Sequence, residues 1–284
     1  MSAAAAAARP RRLGRRLLAA LAVALTLVIF VSPFVFALLQ AAKTQAEAAA
    51  LAFSLPTEWR LWQNLVEVVR VRDYQLLLAF FNSAVITVAS VAGLVIFASM
   101  AGYVLQRRRS RWNGLAEFLV LAGLMVPPAV VPTIWLLREL DLFKTLHGMV
   151  LIQIAYNLSF SILLYRAFAA GIPRELDEAA RMDGARPWQV FFKVVFPLLK
   201  PVTVTNIVVQ SIVIFNDFVN PLYYLPGKGN VTVQLTLYNF QSQFQTSYNL
   251  LFANVLLVTI PPLIVFVIFN RQIVSGMTAG AVKG

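Results

Sequence analysis

The segment Pro173–Pro201, PRELDEAARMDGARPWQVFFKVVFPLLKP, is a charged interruption in an apolar chain. It carries Arg174, Glu175, Asp177, Glu178, Arg181, Asp183, Arg186 and Lys193, and hydrophobic runs flank it on both sides. Its punctuation is helical. Pro173 suits a first helical turn, where its missing N–H has no partner to lose. Glu175, Asp177 and Glu178 fall where acids favour the positive end of the helix dipole. Ala179 and Ala180 are strong helix formers, and Gly184 ends the helix or permits a close turn. Pro187 starts a second helix, WQVFFKVVF, and Pro197 marks its end. The expected product is a helix–turn–helix hairpin. Small side chains flanked by charges form a surface that another protein can approach closely. A merely solvated connection is the competing reading.

Outside this segment the chain reads as membrane. It has 284 residues, 60% hydrophobic and 13% charged, with mean hydropathy +0.75, whereas soluble domains carry about 25% charge. Its apolar runs match a hydrocarbon layer of roughly 30 Å at about 1.5 Å per helical residue. The fold class is therefore an all-α polytopic membrane protein. Six spans fit, at Leu17–Gln40, Leu76–Leu105, Leu115–Leu137, Gly148–Phe168, Val202–Leu225 and Leu251–Phe269. Ser32-Pro33 kinks the first. Pro127, Pro128 and Pro132 interrupt the third, and Pro261-Pro262 lie in the sixth. Those prolines bend helices that line a cavity or flex, or are kinks without function. Ala41–Gln75 holds one or two short helices at the membrane surface. The division is a tail at 1–16, a first span with its following segment at 17–75, a core at 76–271 holding the charged loop at 171–200, and a tail at 272–284. No internal repeat is evident.

The net charge of +12 raises nucleic acid as a partner. The distribution argues against it, because the cations cluster at span ends, as the positive-inside bias requires. With the N-terminus inside, seventeen of the 24 Lys and Arg residues fall on inner segments, including Arg11, Arg12, Arg15, Arg16, Arg107, Arg108, Arg109, Arg111 and the hairpin's own. Seven fall outside: Lys43, Arg60, Arg70, Arg72, Arg138, Lys144 and Lys228. Both termini and the hairpin are thus expected in the cytoplasm. The first apolar run exceeds a signal-peptide core of about 7–15 residues, so it reads as an uncleaved span.

Several chemistries are excluded. No cysteine is present, so no disulfide, thiol nucleophile or cysteine metal site exists. His147 has no neighbouring ligand cluster, and no metal site is expected. Pro226-Gly227-Lys228-Gly229-Asn230 lacks the spacing of a phosphate-binding loop. No serine–histidine–acid set is evident, so the chain is not read as an enzyme.

Glu178-Ala179-Ala180, three residues, Gly184, nine residues, then Val194-x-Phe196-Pro197 resembles the EAA loop of permease subunits of bacterial ABC importers, E-A-A-x3-G-x9-I-x-L-P. Phe215-Asn216-Asp217-Phe218-Val219-Asn220-Pro221-Leu222 resembles the W-N-[DE]-F-x-x-P-L segment of carbohydrate-importer permeases, with Phe215 in place of Trp. Gly276-Met277-Thr278-Ala279-Gly280-Ala281-Val282-Lys283-Gly284 resembles the ending of the maltose-transporter-type second permease. The resemblance implies a type I ABC importer permease (MetI-like) fold with six transmembrane helices in a bacterial inner membrane, importing a di- or oligosaccharide or related solute. It implies four partners: a second permease subunit sharing the pathway, a cytoplasmic ATPase dimer, an extracytoplasmic solute-binding protein and the carbohydrate. ATP and Mg would be bound by the ATPase subunits, with no cofactor on this chain. Glu178, Ala179, Ala180 and Gly184 carry over as ATPase-coupling positions, and the tail Ser275–Gly284 would reach between the ATPase subunits.

Polar groups inside spans face a cavity or a partner. Asn206, Gln210, Asp217 and Asn220 fall within roughly an 80° arc of a helix. Ser83, Thr87 and Ser90 form a second stripe, and Gln153, Tyr156, Asn157 and Ser161 share a face of the fourth span. These stripes either line a sugar path or bond across helix interfaces. In the maltose-type family the sugar contacts lie mainly in the other permease. The alternative function is a self-sufficient secondary transporter or channel using Asp217, which leaves the hairpin unexplained.

Overall fold

The computed structural model describes residues 9–281 apart from 109 and 242–245, with side chains from 18 to 269. In chain order the helices are α1 Arg9–Ala41, α2 Gln45–Ala49, α3 Leu61–Arg107, α4 Asn113–Met125, α5 Val130–Glu139, α6 Leu146–Ala169, α7 Glu175–Met182 and α8 Pro187–Gln189. A π-helical turn, Val190–Val195, leads into α9 Phe196–Leu198. Then come α10 Lys200–Phe215, α11 Val219–Tyr224, a 3-10 helix Gln234–Phe240 and α12 Tyr248–Ala281.

Among the described residues, four helices are long and apolar enough to cross a membrane: Leu18–Ala41, the helix Leu61–Arg107, Leu146–Ala169 and Tyr248–Phe269. They contain the expected first, second, fourth and sixth spans. The third is bent at its prolines, as expected, and the fifth is corrected in form. The run 115–137 is not one rod: α4 and α5 meet at 114°. Pro127 forces Val126 into an extended conformation with ψ 119°, as a following proline ring requires. Pro132 sits in the first turn of α5, where it costs no internal bond. The run 202–225 is also divided. α10 stops at Phe215, where the Asn216 side chain donates back to the Ile212 carbonyl at 2.9 Å. The short α11 follows. The hairpin's second helix, Pro187–Leu198, meets α10 at 75°. The break falls at Leu199, so Pro197 lies inside a helical turn instead of ending one.

The described residues pack as two compact units. One holds the chain up to Arg70 together with Leu237–Leu257. Here α1 exposes its apolar side chains from Leu18 to Val35, with Leu18, Leu21, Val28 and Phe30 each more than half exposed. A helix apolar on every side fits lipid. Its C-terminal carbonyls, which have no partners within the helix, are taken up locally. Asn64 donates to the Ala41 and Lys43 carbonyls at 2.8 and 2.9 Å. The buried Lys43 ammonium donates to Ala52 O at 2.7 Å and Ser54 Oγ at 3.2 Å. α2 opens with a capping box formed by Thr44 and Glu47.

The other unit runs from Val71 to Thr236 and resumes at Val258. It begins at a break inside the assigned α3: Arg72, Asp73 and Tyr74 are all left-handed, at φ 52°, 58° and 57°. Two apolar clusters hold it. Ile86, Leu94, Leu137, Met149, Ile152, Ile214 and Tyr224 form one. Ala98, Tyr103, Ile162, Tyr165, Val190, Phe191, Val195, Leu199 and Val202 form the other, beside the hairpin.

Candidate functional site

The hairpin forms as its residues dictate. α7 carries Glu175, Asp177 and Glu178 in its first turn and Arg181 in its last, so both ends suit the helix dipole. It ends in a Schellman arrangement. Ala185 N–H donates to the Ala180 carbonyl and Gly184 N–H to the Arg181 carbonyl, each at 3.0 Å. Gly184 holds φ +80°, and no atom lies within 4 Å of where a side chain would begin. Its requirement is conformational, and the space in front of it is open.

α7 has two faces. Glu178 and Ala179 are exposed, Ala180 is half-buried, and Met182 is 88% exposed. The opposite face is fastened down. Asp177 Oδ2 stands 3.0 Å from Arg107 Nε, with both side chains under a tenth exposed, and accepts a hydrogen bond from Tyr103 Oη at 3.0 Å. Arg107 Nη2 donates to the Ile172 carbonyl at 2.9 Å, and Arg174 Nη2 to the Gln106 carbonyl at 3.3 Å. The second helix packs as an aromatic wedge. The Phe191 ring lies 5.4 Å from Tyr103 and 4.9 Å, edge-on, from Phe192. Val190 and Val195 are fully buried beside it.

The polar stripes of the fourth and fifth spans meet each other. Ser161 Oγ donates to Asn206 Oδ1 at 3.0 Å, and Gln210 Nε2 to Ser161 Oγ at 3.3 Å. All three side chains are buried. Tyr156 and Tyr224 share a hydroxyl–hydroxyl bond of 2.8 Å. Asp217 accepts from Gln153 Nε2, from Asn220 Nδ2 at 2.7 Å and from the Asn220 amide at 3.2 Å. The carboxylate thereby caps the start of α11 and ties it to α6. Asn157, Asp217 and Asn220 remain half-exposed.

The second-span stripe goes elsewhere. Ser83 Oγ accepts from the Val233 amide at 3.0 Å, and Ser90 Oγ reaches the Val150 carbonyl at 3.5 Å. Thr87 Oγ1 is buried without a hydrogen-bond partner among the described residues. Thr87, Ser211, Phe215, Pro261 and Pro262 line a cavity of about 210 Å³. Asn82 donates to the Val231 carbonyl at 3.0 Å, holding the same loop as Ser83.

Sequence reasoning missed Asp177, Arg107 and Tyr103. The signal present was four arginines after the second span and an acidic turn opening the hairpin. Which acid pairs with which arginine depends on helical phase across 70 residues. The expected tail contact, Ser275–Gly284, lies outside the residues with described side chains, and 282–284 lie outside the described residues altogether.

Residues 93–279 match the family described as binding-protein-dependent transport system inner membrane component. The chain is 30% identical over 258 residues to the probable starch degradation products transport system permease protein AmyC of Thermoanaerobacterium thermosulfurigenes, covering 90% of this chain and 93% of that one. It is 34% identical over 211 residues to the multiple sugar-binding transport system permease protein MsmG of Streptococcus mutans, covering 72% and 76%. The trehalose transport system permease protein SugB of Mycobacterium tuberculosis is 34% identical over 210 residues, covering 72% and 77%. In fold, the chain is similar to one in a bacterial ABC transporter involved in the import of the acidic polysaccharide alginate. The TM-score is 0.79 at 21% identity, over 93% of this chain and 98% of that one.

Proposed function

The chain belongs to the binding-protein-dependent transport system inner membrane components, and from that premise we propose that its hairpin couples a cytoplasmic ATPase dimer to uptake of an oligosaccharide. As a member, it is a multi-pass inner-membrane permease subunit of an ABC importer, not an enzyme, and works in a complex with a binding protein and an ATPase. ATP belongs to the ATPase, and the chain carries no cofactor. Membership removes the reading of a self-sufficient transporter driven by Asp217, whose carboxylate is engaged by Gln153 and Asn220.

The single observation that carries the coupling proposal is the divided α7. Its exposed side holds Glu178, Ala179 and Met182, and Gly184 leaves open space at the turn. An ATPase cleft would cover this side. On this reading both termini and the hairpin lie in the cytoplasm, which the inner excess of Lys and Arg in the sequence supports. The oligosaccharide rests on the names of the sugar permeases above. With a second permease supplying the other half, the path would pass the half-exposed Asn157, Asp217 and Asn220. Asn206, Gln210, Ser83 and Ser90 serve that path by fixing its walls, and Thr87 by lining the cavity beside it.

The test is Glu178→Lys and Gly184→Asp in the assembled complex. Each variant should insert normally and lose ATP-driven sugar uptake. Normal uptake with normal stimulation of ATP hydrolysis would reject the coupling role.

A further inference from the structure

We infer that Asp177 is a positioning residue: acting through Arg107 and Tyr103, it makes the end of α3 follow the hairpin. The inference rests on the coupling reading above. A docked hairpin moves a membrane helix only through contacts that hold when it is displaced. On α7 the exposed acids Glu175 and Glu178 face outward, while Asp177 alone of the first-turn acids is turned inward and buried.

Its partners all lie in the last turn of α3. Tyr103 and Arg107 both reach Oδ2 at 3.0 Å. Arg107 also grips the Ile172 carbonyl at the hairpin's entry, and Arg174 returns the contact to Gln106. With a longer bond from Arg107 Nη2 to the Pro173 carbonyl at 3.4 Å, residues 103–107 and 172–177 are joined by five polar links. Being buried, the ion pair escapes most solvent screening. The rest of the hairpin meets α6 and α10 through apolar side chains, which have no fixed directional preference. Asp177 directly precedes Glu178, so a displacement of the docking face is a displacement of the carboxylate. Among the described residues Asp177 Oδ1 has no hydrogen-bond partner, and the Arg107 Nε–H is not aligned on an acceptor. The pair therefore meets as charges.

The experiment must separate linkage from folding. Deleting one partner leaves a buried uncompensated charge, whereas replacing the whole set by apolar groups of similar volume is often neutral. The informative variant is therefore Tyr103→Phe with Arg107→Met and Asp177→Leu. The chain has no cysteine, so Val104→Cys and Leu176→Cys, both exposed positions, can carry spin labels in the complex. With Tyr103, Arg107 and Asp177 intact, the 104–176 distance should be the same before and after trapping the ATPase with ATP and vanadate. In the triple variant the ATPase should still copurify, while that distance shifts or broadens on trapping. A distance that stays unchanged on trapping in the triple variant overturns the inference, as does one that changes on trapping with the three residues intact. So does failure of the triple variant to assemble, which assigns the set to folding alone. Glu178→Lys separates the two claims: a normal ATP response in that variant rejects the coupling reading itself, whatever Asp177 does.

Discussion

A methyl carbon added at Gly102 of α3 would stand 2.9 Å from the Ile162 carbonyl oxygen of α6, and equally close to the Arg166 amide nitrogen. Both are backbone atoms, so no side chain can rotate away. Small residues permit such close approach in membrane helix pairs. Gly102→Ala should cost about 1–3 kcal/mol, as overpacking of a tight contact does. The purified complex should lose thermal stability, and Gly102→Leu should abolish assembly.

Gly184 is constrained by its backbone and not by neighbours. Gly184→Ala must hold a left-handed conformation, costing roughly 1–2 kcal/mol. Gly184→Asn, a residue that tolerates this conformation, should retain more uptake than Gly184→Ala. Uptake measured at matched expression checks the order. Equal loss in both would move the requirement from conformation to bulk.

The buried Ser161–Asn206–Gln210 set and the half-exposed Asn157–Asp217–Asn220 set predict different defects. Asn206→Leu removes an interhelix bond worth about 0.6 kcal/mol in such settings. It should lower the melting temperature slightly and leave the sugar concentration for half-maximal uptake alone. Asn220→Ala should raise that concentration. The opposite pattern would exchange wall and path.

Glu47 accepts from the Thr57 hydroxyl and amide. These hydrogen bonds, the hydroxyl's first, hold its carboxyl below the usual value near 4.5. A lowered folded-state pKa contributes stability that is full above the unfolded value and is lost as pH falls through the folded one. The protection of amides in residues 44–57, with exchange taken relative to the intrinsic rate at each pH, should therefore fall on acidification below about pH 4.5. Glu47→Gln should flatten that dependence.

Much of this arrangement is legible in the chain. Spans follow from apolar run length, and the break after Met125 from two adjacent prolines. The hairpin's turn follows from Gly184. The break at Arg72–Tyr74 is not legible, because three non-glycine residues there adopt a conformation their side chains disfavour. Only surrounding structure can impose that. The Arg107–Asp177 pair was legible as opposite charges but not as a contact, since residues on a membrane helix end and a loop helix share no local periodicity. The pairing of the two polar stripes was undecided for a related reason: a stripe facing a partner helix and one facing water have the same spacing.

The bend between α4 and α5 has a consequence for where it can lie. In a continuous helix the carbonyls of Gly123 and Leu124 would be served by the amides of residues 127 and 128, and prolines have none to give. Acyl chains offer no replacement donor. The two oxygens therefore need water or a neighbouring protein group beside them, so this corner cannot turn toward bare lipid tails.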